Sequence, residues 1–525
     1  MKVVILAGVL YCSGSFSQTA TIPGKPSAGT TSSTRGVEVS VIAKGARGDG
    51  VTDDSAAFQA AVNAACGGGT VLVPEPSVKY RLANNINLCG NLNIKGVQSR
   101  IFFDYRAFAG ALFNASNSLD SNITIDGLWI DGYRAAKGAT NQHYALFFRG
   151  FKPRLSNITV RNCRITNLLD TNFPHSSDRA TDAVYVQYAD NVTLENNVVD
   201  HIAGYGLHLA SVSNFKILKN AINETAYASI KLAADNHNGV VAYNTVTGTG
   251  ADTPHTRAEG GSIDMPSTTS YANTPNTHVA VLYNDLSGKH DYGNAIRAGA
   301  AQYLTIVGNR IHDLSGDLRP IYIGLRDRVD QTGRGIHDVV VARNTLVANT
   351  AGGVGISVIN DGAGNTSVPV AKNITIDGNY ILSPDSSNYF YSCLYVSGTS
   401  SGIEAVQVKN NICEASGDGV GAAGAFAFVG SSGKPAVNFQ VHGNHLRFPT
   451  GVTRTKDQFG IVVFDRANVV ARNNHLDSYW TQIHEVVNAT NIILSGNVCT
   501  GTFSSCLSLN SSFIAEPPLI WLSPL

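Results

Sequence analysis

Leu304-Thr-Ile306-Val-Gly-Asn309 decides how this chain is read. The same phrase, apolar-x-apolar-x-x-Asn-x-apolar, returns as Val192-Thr-Leu194-Glu-Asn-Asn197 and Ile374-Thr-Ile376-Asp-Gly-Asn379. Its asparagine recurs at Asn197, Asn220, Asn244, Asn284, Asn309, Asn344, Asn379, Asn411, Asn444, Asn474 and Asn497, at gaps of 23 to 40 residues. A repeat of that size with variable insertions marks a solenoid. Each unit alternates apolar and polar residues with period two on both sides of the asparagine, then has a Gly-rich turn and a third strand such as Tyr205-Gly-Leu-His-Leu-Ala210. Period two excludes a helical solenoid. A propeller needs four strands and a more regular repeat.

Three short strands per unit, stacked unit on unit, make a parallel coil in which each strand finds its partners about 4.8 Å away in the neighbouring turns. An asparagine at each corner can bond the one above and below, satisfying a bend that otherwise buries unpaired polar groups. The spacing therefore predicts a structural asparagine ladder, with Cys163 and Leu128 in the same place in the two preceding turns. Sequons at Asn157, Asn191 and Asn373 fall where strands begin and are read as part of this coil pattern.

Outward from the ladder, composition sets bounds. The 525 residues carry 38 basic and 38 acidic side chains, so nothing points to a nucleic-acid partner. Lys2, the apolar run Val3–Tyr11 and Ser15-Phe16-Ser17 read as an export signal over residues 1–17, too short for a membrane span. Residues 18–36 read as a flexible leader, 37–110 as an N-terminal cap with the first turns, 111–510 as the coil, and 511–525 as a C-terminal cap or tail. The expected location is secreted or periplasmic. The eight cysteines fit an oxidising compartment. The expected pairs are Cys66–Cys89, Cys393–Cys413 and Cys499–Cys506, with Cys163 buried.

Near the start, Val41-Ile-Ala-Lys-Gly-Ala-Arg-Gly-Asp-Gly-Val-Thr-Asp-Asp-Ser leads into an Ala-rich stretch ending at Ala65, then Gly67-Gly-Gly-Thr-Val-Leu-Val-Pro74. Thr52 and Asp53 read as a helix start and Gly67–Gly69 as its stop. A helix here covers the open end of a stack. This stretch resembles the N-terminal cap of the pectate-lyase-like superfamily of right-handed parallel β-helix proteins. That superfamily holds polysaccharide lyases, mannuronan C5-epimerases, glycoside hydrolases and phage tailspike depolymerases. The resemblance implies an all-β, right-handed parallel β-helix with an N-terminal helical cap, and a carbohydrate substrate.

The third strands align by their inward apolar pairs. Tyr185, His208, Lys231, Asp264, Arg297 and Tyr322 then fall outward in six successive turns, about one strand spacing apart. Later turns put Ser357, Tyr395, Ala427 and Val462 there. Insertions at Leu168–Thr181 and Gly248–Gly260 lie nearby, of the kind that wall a cleft. A column with Lys231 and Arg297 suits an acidic polysaccharide, since arginine holds a carboxylate in a fork. The expectation is a lyase acting by β-elimination on a uronic-acid-containing polysaccharide, or the related C5-epimerase. Lys231 or His208 is the base, Arg297 the carboxylate clamp and Tyr322 the proton donor. Asp264 orients a neighbour or holds a cation such as Ca²⁺, and no other cofactor is called for. Tyr185, Asp182, His175, Glu259 and Arg326 are the expected substrate contacts. Phe173-Pro-His-Ser176 shares only Pro-His with the epimerases' Asp-Pro-His-acid phrase, which counts against mannuronan epimerisation in their manner. The alternatives are a glycoside hydrolase pairing Asp264 with Glu259, Asp182 or Asp235, and a non-catalytic carbohydrate-binding solenoid.

Overall fold

A computed structural model describes residues 36–521, apart from 105–109, 117–119, 133–142, 169–180, 234, 250–260, 267–273, 290–293, 300, 316–318, 325–334, 361–370, 399–401, 418–423, 431–435, 454–457, 465–467, 480, 488–490, 502–504, 509–513 and 516–519. The expected export signal and the leader up to residue 35 lie outside the described residues.

The chain winds as a parallel coil. Three strands per turn each pair in parallel with their counterparts in the turns before and after. One sheet holds the strands that precede the asparagine, such as Gln302–Val307, which lies between Thr277–Leu282 and His337–Ala342. A second holds those that follow it, and a third holds short strands such as Ile230–Leu232, Ile263–Met265 and Ile296–Ala298. In two early turns the third strand runs on through a bend into the next sheet, giving Asp182–Glu195 and Leu207–Leu218. The strands Ile514–Ala515 and Ile520–Trp521 add to two of the sheets beyond Ile493 and Val498.

Inward side chains form one continuous apolar core, with Val192, Leu194, Ile217, Val241, Val281 and Ile306 all buried. Because each turn packs mainly on its neighbours, the core grows with chain length.

The corner between the first two sheets carries the ladder. Each asparagine side chain bridges to the next: Asn197 Nδ2 donates to Asn220 Oδ1 at 3.0 Å, and Asn220 to Asn244, Asn284 to Asn309 and Asn474 to Asn497 each at 2.9 Å. The same oxygens accept the backbone N–H of the preceding ladder residue, as Asn309 Oδ1 does from Asn284 at 2.9 Å. The amide nitrogens also reach back to a carbonyl of the turn before, Asn309 to Val281 at 2.9 Å. The ladder's side-chain amides are thus paired away from water. The residue just before each ladder asparagine has a left-handed backbone, including Lys219, Tyr243, Tyr283 and Arg343 at φ between 52° and 58°. That conformation turns the chain and is disfavoured for side chains of this kind. Where glycine takes the position, as at Gly308 (φ 69°), the penalty vanishes.

Cys163 stands at the first rung, its N–H donating 3.0 Å to Asn197 Oδ1. It is a free, buried cysteine, and burial pushes its thiol up to about 12. Asn157, Asn191 and Asn373 also have left-handed backbones and use their side-chain amides along the coil, to Asn122, Asn157 and Asp338. These asparagines therefore have a structural use of their own.

The early helix spans Ser55–Ala65, shorter at its start than the sequence suggested. Thr52 belongs instead to the strand Asp49–Asp53 and donates its hydroxyl to Asp49 at 2.7 Å. Asp53 accepts from Ser55 N–H, and Asp54 from Arg47 N–H. The helix buries Phe58, Ala61, Val62 and Ala65, with Phe58 edge-on to Tyr80 at 5.2 Å. Cys66–Cys89 and Cys393–Cys413 are disulfides. Cys499 is disulfide-bonded as well, while the side chain of Cys506, its expected partner, lies outside the described residues.

Two outcomes test this account. Asn309→Ala removes bonds to both neighbouring rungs and strands buried donors, so urea unfolding should show a loss of about 2–4 kcal/mol. Cys163 should resist thiol reagents in the folded protein and react fully only in denaturant.

Candidate functional site

The third sheet's backbone pairing settles the column. Tyr185 lies beside His208, His208 beside Lys231, Lys231 beside Asp264, Asp264 beside Arg297 and Arg297 beside Tyr322. Their flanking residues, such as Leu207 and Leu209 or Ile230 and Leu232, are fully buried in the core. Alternation along each strand therefore sends the six side chains to the opposite face.

Three of them converge. Lys231 Nζ sits 2.5 Å from Asp264 Oδ2, and Arg297 Nε sits 3.5 Å from Asp264 Oδ1. Lys231 is 5% exposed and Asp264 0%. Charges this shielded persist only in close pairs, because desolvation otherwise costs several kcal/mol per ion. Lys231 is thus the ammonium half of an ion pair. Both Asp264 oxygens face cations, the reverse of what a Ca²⁺ ligand needs, so the expected cation role does not fit this geometry. Among the described residues, no group of three or more His, Cys, Asp or Glu side chains is placed to hold a metal ion.

His208 belongs to a second group. Its Nδ1 lies 2.9 Å from Asp182 Oδ2, and Asp182 Oδ1 accepts the N–H of Tyr205 at 3.1 Å. Asp182 is 2% exposed. A carboxylate can only accept, so Nδ1 carries the proton toward it and Nε2 is left as the basic nitrogen. The Tyr205 ring centre lies 4.8 Å from that of His208, and Lys231 Nζ stands 5.2 Å from the Tyr205 ring centre. Tyr205 thus joins the two groups.

On the other side of His208 lies an aromatic patch. The ring of Tyr185 is 4.4 Å from His208, stacks on Tyr144 at 5.5 Å and contacts Phe147 at 5.5 Å. Tyr322 keeps its register beside Arg297, but its hydroxyl packs over Gly324, where an added Cβ would stand 2.6 Å from it.

Of the residues singled out from sequence, the structure brings together Tyr185, Asp182, His208, Lys231, Asp264 and Arg297. Tyr322 is in line with them but turned along its own strand. His175, Glu259 and Arg326 lie outside the described residues. Asp235, weighed as a partner for Asp264, sits instead 2.9 Å from His237 Nε2. Tyr205, Tyr144 and Phe147 were missed. Tyr205 opens the third strand as read from sequence, but the strand begins at Leu207 and leaves Tyr205 at the Gly-rich corner; the other two precede the run of charged residues that drew attention.

With this geometry in view, comparisons place the fold. Residues 138–277 match the family described as "Right handed beta helix region". This chain is a right-handed parallel β-helix. A curated relative, mannuronan C5-epimerase AlgE1 of Azotobacter vinelandii, is 26% identical over a 210-residue alignment that covers 34% of this chain. The match spans only 15% of that relative's length. Among solved structures, the A-module of mannuronan C-5 epimerase AlgE6 of Azotobacter vinelandii covers 91% of this chain and 100% of its own at 16% identity, with a TM-score of 0.38. The catalytic unit of a GH87 α-1,3-glucanase from Streptomyces thermodiastaticus covers 93% of this chain and 70% of its own at 16% identity, with a TM-score of 0.45. Likenesses of this size decide nothing about the reaction. Among the described residues no helix is long and apolar enough to cross a membrane.

The ion-pair cluster makes a stability prediction. Asp264→Ala leaves Lys231 and Arg297 without their shared carboxylate and should cost about 3–5 kcal/mol in urea unfolding. Adding Lys231→Met should recover part of that loss, a coupling that a double-mutant cycle will read.

Proposed function

We propose that this protein acts on an acidic polysaccharide, abstracting the C5 proton of a uronate residue to give β-elimination or C5 epimerisation. The observation that carries this reading is the register of the third sheet, which sets a carboxylate-held histidine one rung from a lysine–aspartate–arginine cluster. Partial sequence similarity to a mannuronan C5-epimerase is in keeping with a uronate polymer.

In this reading His208 Nε2 takes the C5 proton, with Asp182 fixing the tautomer and steadying the imidazolium that forms. Lys231 and Arg297 face the substrate carboxylate and stabilise the negative charge that builds on it as the proton leaves. A guanidinium presents its N–H donors in a planar fork that matches a carboxylate. Lys231, as an ion-paired ammonium, serves as a cation here, and the base role falls to His208. Tyr205, in ring contact with His208, is the nearer phenol to return a proton; Tyr322 lies four rungs from His208, roughly 19 Å along the coil. Departure of the C4 oxygen gives an unsaturated product, and reprotonation on the other face gives the epimer.

Hydrolysis fits less well. It needs two carboxyl groups about 5–9.5 Å apart acting on one bond. The strand segments carrying Asp182 and Asp264 are three rungs apart, roughly 14 Å, and both carboxylates already hold a basic side chain.

Incubation with polymannuronate, polygalacturonate and neutral glycans checks the reading. A rise in ultraviolet absorbance marks elimination, and a changed proton spectrum without chain cleavage marks epimerisation. His208→Ala and Arg297→Ala should each lower kcat by at least about 100-fold with the fold intact. Full turnover in both variants, or new reducing ends without unsaturation, would remove it.

A further inference from the structure

We propose that Tyr144, Phe147, Arg149 and Gln187 form a sugar-binding subsite just before the histidine, holding the neighbouring pyranose unit of the same polymer. The proposal rests on the reading above for the direction of the chain, and on its own observations for the site.

Gln187 is the first of these. It lies two residues beyond Tyr185 on the same strand, so it shares that outward face. Its side chain is 2% exposed, and its amide nitrogen has no hydrogen-bond partner among the described residues. A buried donor left unpaired costs free energy and needs an explanation. A hydroxyl or carboxylate oxygen of a bound sugar supplies the missing acceptor.

The surroundings of Gln187 suit that ligand. On one side its backbone partner is Arg149, whose side chain is exposed. On the other side it is Ala210, a small outward residue packed with Tyr185 and Ala233. Two residues before Arg149 is Phe147, half-buried and 4.8 Å from Tyr144. A pyranose has an apolar face of C–H groups, which gains by lying on half-exposed rings. Its edge carries hydroxyls and, in a uronate, a carboxylate, which an amide and a guanidinium can bind. Rings for the face, a donor and a cation for the edge, and small neighbours between them are the parts of a carbohydrate pocket. Tyr185 makes this patch continuous with His208. A polymer laid along the coil thus meets aromatic residues first, the histidine next and the cations beyond. The subsite contributes binding and register, while the proton transfer belongs to His208.

The test splits KM from kcat. Gln187→Glu is nearly isosteric and puts a carboxylate against the proposed acceptor, Phe147→Ala removes the stacking ring, and Phe147→Tyr restores one. On hexamannuronate or hexagalacturonate, whichever the wild type turns over, Gln187→Glu and Phe147→Ala should each raise KM roughly tenfold at unchanged kcat. Phe147→Tyr should stay near wild type. A uniform loss of kcat, or no change in KM, overturns the subsite. If the wild type turns over neither uronate, the catalytic reading fails and the subsite is read by calorimetry. Hexamannuronate, hexagalacturonate or cellohexaose should then bind the wild type and bind Phe147→Ala and Gln187→Glu about tenfold more weakly. Binding of none of the three, or equal binding by both variants, overturns it.

Discussion

The buried side-chain amide at the corner of each turn is the constraint on which the rest depends. A parallel coil bends the backbone sharply at every turn, and each bend threatens to leave N–H and C=O groups dry and unpaired. The ladder from Asn197 to Asn497 meets that demand with one residue type, because an amide both donates and accepts. Once those amides are stacked, the turns cannot slip. A shift of one residue would move the core side chains to the outer face. The fixed register is what lets a histidine, a lysine, an aspartate and an arginine, 23 to 33 residues apart in the chain, become neighbours.

The same constraint explains two further features. Residues before the ladder asparagines tolerate left-handed backbones even when they are lysine, tyrosine or arginine, because the two sheets and the amide fix the bend around them. A second, shorter amide ladder serves the corner after the third strand, where Asn236 donates to Asn276 at 2.8 Å and accepts from Val212 N–H at 3.0 Å. It lies beside the turns that carry Lys231 and Asp264. The third-sheet strands that carry Lys231 and Asp264 are therefore followed by a corner that buried amides hold in place.

Electrostatics divides the column into parts with different work. Around Asp264 the charges are buried and paired, which fixes their positions. Around His208 one ring nitrogen is committed to Asp182. Around Tyr185 the surface is aromatic. The order along one line runs from rings to histidine to cations.

Much of this was legible in the sequence. Eleven repeats of a short phrase gave the coil and its asparagines, and the inward apolar pairs aligned Tyr185 with His208, Lys231, Asp264, Arg297 and Tyr322 in the register the structure shows. Those features repeat with the strand period, and periodic features can be counted. The contacts inside the column could not be counted. Asp182 reaching His208 in the next turn, Tyr205 lying against both His208 and Lys231, Tyr322 folding over Gly324 and the burial of the Gln187 amide depend on side-chain rotamers and on corners outside the alternation. Sequence periodicity determined which residues share a face and a line. Only the packed structure decided which of them touch, because contact across turns is set by a few ångströms of side-chain direction that no spacing along the chain encodes.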